Sequence, residues 1–121
     1  MALEHEIAQL GRRMGIADLA FSSEGIMAID ITGMGRVYFE RKPEELLVYL
    51  ARPVPAHDSG MPRRLLAACH HEKAHPVPLS GGLHNGQAIL LTRVAERSVT
   101  ATALENCMNY LARQMNSVFQ S

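Results

Sequence analysis

Leu3, Ile7, Leu10 and Met14 recur every three or four residues, which predicts an amphipathic helix over about residues 2 to 14. Gly15 follows, where a left-handed residue commonly ends a helix. From Glu24 the period falls to two. Met27, Ile29 and Ile31 alternate with Ala28 and Asp30, Thr32-Gly33-Met34-Gly35 supplies turn residues, and Val37-Tyr38-Phe39 resumes the apolar run, which reads as a hairpin. Lys42-Pro43-Glu44 makes a second turn. The run Leu46-Leu47-Val48-Tyr49-Leu50 is apolar at every position, the pattern of a strand covered on both faces.

Pro53 and Pro55 stop this meander, and Asp58-Ser59-Gly60-Met61-Pro62 combines a capping side chain with a first-turn proline. A second helix is therefore expected from there to about His75, where Pro76 and Pro78 end it. Leu79 to Leu83 reads as a short strand weakened by glycine, Asn85-Gly86 as a hairpin turn, and Gln87 to Val94 as the last strand. Thr102-x-x-Glu105, read as a capping box, opens a third helix with the stripe Leu104, Cys107, Met108, Leu111, Met115, Val118 and Phe119. The order α-β-β-β-α-β-β-α groups its strands, so the expected fold class is α+β, with a twisted antiparallel sheet packed by helices. One domain over residues 1–121 is expected, since 121 residues leave room for one core.

Composition narrows the function classes. Twelve basic and twelve acidic side chains give zero net charge, without the basic stripe of a nucleic-acid binder. With 3 Phe, 3 Tyr and no Trp, the core must be aliphatic. No run is apolar enough for a membrane span, and the acidic, amphipathic start lacks the features of a signal peptide, so a cytoplasmic location is expected. Cys69 and Cys107 lie far apart on expected helices and read as reduced core residues.

His71-Glu72-Lys73-Ala74-His75 matches the His-Glu-x-x-His spacing that places two imidazoles on one helix face for zinc and a carboxylate beside water. With 6 His in 121 residues, chance alone produces the pattern about once in 50 such chains. On a helical wheel His71 and His75 point away from Leu65, Leu66 and Cys69, and His75 directly precedes Pro76, where the helix must break. Neither Glu96 nor Glu105 has a reason to converge as a third ligand. No catalytic residue, cofactor or metal ligand is therefore assigned, and a zinc-dependent hydrolase built on His71, Glu72 and His75 stays as the alternative. Gly33-x-Gly35 lacks the third glycine and following helix of a phosphate loop, and Ser22-Ser23 and Ser80 lack a nucleophile elbow.

Three helices are few for a sheet with apolar residues on both faces, which points to binding rather than catalysis. The stripe Leu65, Leu66, Ala68 and Cys69 suits either the chain's own sheet or a symmetry-related helix, and Ile26, Ala28 and Tyr38 could flank a groove for an extended peptide. In order and spacing, the element sequence together with Val48-Tyr49-Leu50-Ala51-Arg52, Pro78-Leu79-x-x-Gly82, and Gln87 to Val94 followed by Glu96-Arg97-Ser98-Val99-Thr100 resembles the class I type III secretion chaperones of the CesT/SycE superfamily. The SycN-like members are the most similar.

The resemblance implies a small bacterial cytoplasmic chaperone that hydrolyses no ATP, with a peripheral place at the inner face of the secretion apparatus as a further option. It implies dimerisation, with itself or with a second small chaperone, and capture of the N-terminal segment of a secreted effector or gatekeeper. On that basis the dimer contact falls on Leu65, Leu66 and Cys69, and the client surface on Leu3, Ile7, Leu10, Ile29 and Val37. The chain departs from such chaperones in charge: they are usually acidic, and this one is neutral. Client affinity is then expected to come from apolar docking. A homodimeric adaptor outside secretion is the remaining rival.

Overall fold

The computed structural model describes residues 2–17, 19–69 and 79–120. Helix α1 (Ala2–Met14) precedes strands β1 (Ile26–Ile31), β2 (Gly35–Lys42) and β3 (Glu45–Pro53). Helix α2 (Met61–Ala68), strands β4 (Ser80–His84) and β5 (Gln87–Ala95), a 3-10 turn over Glu96–Ser98 and helix α3 (Ala101–Gln120) complete it. The five strands form one antiparallel sheet in the order β1-β2-β3-β5-β4. The α+β class and the element order match the expectation from the sequence. The second helix is described only to Ala68, with Cys69 at its C-cap; the rest of the expected helix lies outside the described residues.

The turns follow from local chemistry. Met34 N–H bonds to the Ile31 carbonyl at 3.0 Å around Gly33, whose φ of +81° needs no Cβ to be tolerated. Asn85 and Gly86 both have positive φ, as a two-residue hairpin requires.

All three helices lie on one face of the sheet. Their apolar stripes meet Met27, Ile29, Val37, Phe39, Leu46, Val48, Leu50, Ala88 and Leu90 in one buried cluster. Leu47 and Tyr49, expected under a second cover, stand on the opposite face and are half-buried. The alternation of strand side chains explains this: with every helix on the face of Leu46, Val48 and Leu50, the intervening positions receive none among the described residues.

Two helix starts differ from the expected ones. Helix α3 begins at Ala101, where Thr100 Oγ1 accepts the Ala103 N–H at 3.0 Å and Glu6 Oε1, from α1, accepts the Ala101 N–H at 2.8 Å. Thr102 and Glu105 instead both accept from Arg13 Nη1, at 2.9 and 2.6 Å, and tie the end of α1 to α3. At α2 the N-cap is Gly60 with no side-chain cap. Asp58 instead pairs with Arg64, whose Nε also donates to the Val118 carbonyl at 2.7 Å, so α2 is fastened to the end of α3.

Three carboxyls tied in this way titrate below their ordinary range. Asp58 is held down by Arg64, Glu40 by Lys42, and Glu4 by a backbone hydrogen bond in the first turn of α1 and then by Arg41. The unfolded chain takes up protons on these groups first as pH falls, so unfolding is favoured by acid. Stability is accordingly expected to be level above about pH 5 and to decline as pH falls through about 4 and below. Urea midpoints measured between pH 3 and 7 check this; Asp58→Asn should flatten part of the decline.

Candidate functional site

At one end of the sheet α2 packs beside β4. Leu65 is buried at 2% exposure among core residues, Cys69 is half-buried, and Leu66 projects outward at 72%. Strand β4 is exposed along its whole length, and its Leu83 is 46% exposed. Leu66 and Leu83 are the two exposed large hydrophobic side chains among the described residues. The close approach of α2 to β4 depends on Gly81: a Cβ there would lie 2.9 Å from both Cys69 Sγ and Leu90 Cδ2. The glycine that weakens β4 as a strand is what admits the helix beside it. Of the three residues expected at a dimer contact, Leu66 is placed at the surface, Cys69 at its margin, and Leu65 in the core.

The second feature is the helix-free sheet face. The strand register sets Ala28, Tyr38, Tyr49 and Leu91 in one cross-strand row, with Ala51 and Ile89 paired beside it. The Tyr38 and Tyr49 rings stack with centroids 4.8 Å apart and planes 13° from parallel, and the Arg36 guanidinium sits 5.6 Å from the Tyr38 ring centroid. Tyr49 Oη donates to Glu40 Oε1 at 3.2 Å. Partial burial, followed by the Glu40 charge, pushes the Tyr49 phenol up to about 12, so it remains a neutral donor at any physiological pH. This face combines apolar area with polar groups satisfied at its rim, as a docking surface does.

The residues expected to touch a client lie elsewhere. Leu3, Ile7, Leu10, Ile29 and Val37 are all buried in the core between α1 and the sheet. Each sits on an apolar stripe with the period of its helix or strand, and in this fold that stripe faces inward. They support the surface without forming it. On the helix-free side of the same strands, the outward positions are Ala28, Asp30, Arg36 and Tyr38.

Residues His71, Glu72 and His75 lie outside the described residues, and no group of three potential metal ligands occurs among the described ones. Both cysteines are free thiols, and burial raises the pKa of each, which lowers thiolate reactivity. No helix among the described residues is long and apolar enough to cross a membrane.

Comparison with solved structures finds the same fold in secretion chaperones. The chain aligns at a TM-score of 0.73 and 14% identity with a structure of the HopA1-SchA chaperone-effector complex, covering 97% of this chain and 92% of that one. It aligns at 0.70 and 12% with the Yersinia pestis type III secretion chaperone SycH in complex with a stable fragment of YscM2, covering 98% of each. With the ExsC-ExsE complex the values are 0.72 and 20%, covering 96% and 87%. No curated protein sequence matches. The family model for the type III secretory system chaperone SycN matches residues 2–119, and on that near-complete match the chain belongs to the SycN family of type III secretion chaperones.

Proposed function

We propose that this chain pairs through the α2 and β4 end with a second small chaperone subunit, itself or a different one, and that the pair holds an N-terminal segment of a secreted effector or gatekeeper in export-ready form. One observation carries the reading: the two exposed large hydrophobic side chains among the described residues, Leu66 and Leu83, lie on elements that pack together at one edge of the sheet. An exposed apolar pair beside an open strand edge is removed from water most directly by a partner that covers both. The solved relatives described as chaperone-effector or chaperone-fragment complexes support the client half of the proposal. The client would lie in extended form over the helix-free face, with backbone pairing at an edge strand supplying affinity and the apolar row selecting side chains. The work is binding, with the ordering entropy of the segment offset by apolar burial, and its setting is the bacterial cytoplasm.

Co-expression with the secreted client, alone or together with a second small type III secretion chaperone, should yield one soluble stoichiometric complex in which the N-terminal segment of the client resists proteolysis. A monomer that retains no polypeptide under these conditions would refute the reading. Stoichiometric zinc in untagged protein, lost in His71→Ala, would restore the hydrolase alternative.

A further inference from the structure

A cleft of about 450 Å³ lies where β5 and the turn after it run past α3, next to the C-cap of α2, whose Cys69 acts electrostatically on the cleft's Tyr110. Val94, Ala103, Cys107 and Tyr110 supply its apolar lining, and Arg93 and Arg113 stand at its border. The two cations are weakly engaged. Arg93 has a carboxylate, Glu45, no nearer than 3.9 Å, and Arg113 rests at 6.0 Å from the Tyr110 ring centroid with no carboxylate within ion-pair distance among the described residues. The other arginines that fasten elements together, Arg13, Arg41 and Arg64, each hold a carboxylate much closer. An apolar pocket bordered by two cations with spare hydrogen-bond donors is complementary to an apolar side chain that has acidic neighbours.

We propose that this cleft takes an aliphatic side chain of the client segment flanked by carboxylates, with Arg93 and Arg113 pairing with those carboxylates and the Cys107 and Tyr110 lining covering the aliphatic group. The proposal rests on the client-binding reading and adds a sequence preference to it. It also gives a neutral chaperone a localised positive site, so selectivity for acidic segments needs no overall charge.

The test uses the full chain and an acetylated peptide, Gly-Ser-Glu-Leu-Glu-Ile-Glu-Ser-Gly-amide, titrated by NMR beside the same peptide with every Glu replaced by Gln. The acidic peptide should bind at least about tenfold tighter at low salt, lose that advantage as salt rises, and move the amide signals of Ala103, Asn106 and Tyr110. The double variant Arg93→Glu, Arg113→Glu alters two border charges and should reverse the preference while leaving the melting temperature close to that of the parent. Equal binding of the two peptides, shifts confined to other regions, or no saturable binding up to millimolar peptide would each overturn the cleft assignment. Those outcomes leave the chaperone reading untouched if the co-expressed complex forms, so the two failures are distinguishable.

Discussion

Leu66→Glu, combined with Leu83→Glu, should separate the proposed chaperone pair into folded subunits. Leu66 is 72% and Leu83 46% exposed, so neither substitution removes core packing, and the melting temperature of the separated subunit should stay within the range of ordinary surface changes. In a pair that covers both side chains, the area each leucine still exposes is worth about 1–1.5 kcal/mol when removed from water. A glutamate at the same place adds the penalty of burying a carboxylate without a partner. The combined loss, about 4 kcal/mol or more, corresponds to roughly a thousandfold weaker association. Sedimentation equilibrium at micromolar concentration, with circular dichroism as the control for folding, decides the matter. Unchanged association would move the interface away from α2 and β4. Loss of folding would show that the two leucines belong to the core of the single chain.

The contrast between these leucines and the five buried residues Leu3, Ile7, Leu10, Ile29 and Val37 shows what periodicity reports. A stripe such as Leu3, Ile7 and Leu10 stands out because its spacing matches the helix, and the same spacing lets the chain bury it against its own sheet. The apolar side chains left outside the core are those that break the period: Leu66 follows a buried Leu65, and Leu47 and Tyr49 fill the alternate positions of β3. The alternation and turn chemistry that define β1, β2, β3 and β5 are local, and local signals are legible in the sequence. The tertiary choices were less so. Thr102 and Glu105 satisfy the spacing of a capping box, yet Arg13 on another helix takes both, and the cap is assembled from Thr100 and Glu6. Asp58 likewise has the chemistry of a cap and is committed to Arg64. Which helix the glycines of β4 admit depends on a close approach at Gly81 that spacing along the chain cannot report.

Arg52 is the residue of the strand-ending segment Val48 to Arg52 to which the sequence reading assigns no role, and its replacement carries a large expected cost to stability. Its guanidinium donates from Nε and Nη2 to the Met34 carbonyl at 3.0 and 2.6 Å and from Nη1 to Asn116 Oδ1 at 2.9 Å. Its charged plane also lies 5.1 Å from the centroid of Phe119. One side chain thus joins the β1–β2 turn, β3 and the last turns of α3. The adjoining Gly35 is pressed so closely to β3 that a Cβ would lie 2.6 Å from the Ala51 carbonyl oxygen, so the corner has little room to rearrange around a different side chain. Partial burial lowers the Arg52 pKa from its usual value, and the group remains charged at neutral pH. Hydrogen bonds from a charged donor are each worth about 1.5–3 kcal/mol, and the three here share one group, so Arg52→Ala should cost about 2–3 kcal/mol and lower the melting temperature by roughly 10 °C. Arg52→Lys should recover less than half of that loss, because a single ammonium cannot fork to the Met34 carbonyl, reach Asn116 and stack on Phe119 together. Urea unfolding with an unchanged slope measures the loss, and Arg36→Ala on the helix-free face serves as the exposed control, with an expected change within about 0.5 kcal/mol. An Arg52→Ala protein as stable as the Arg36→Ala control would show that the corner is held by the sheet ladder alone.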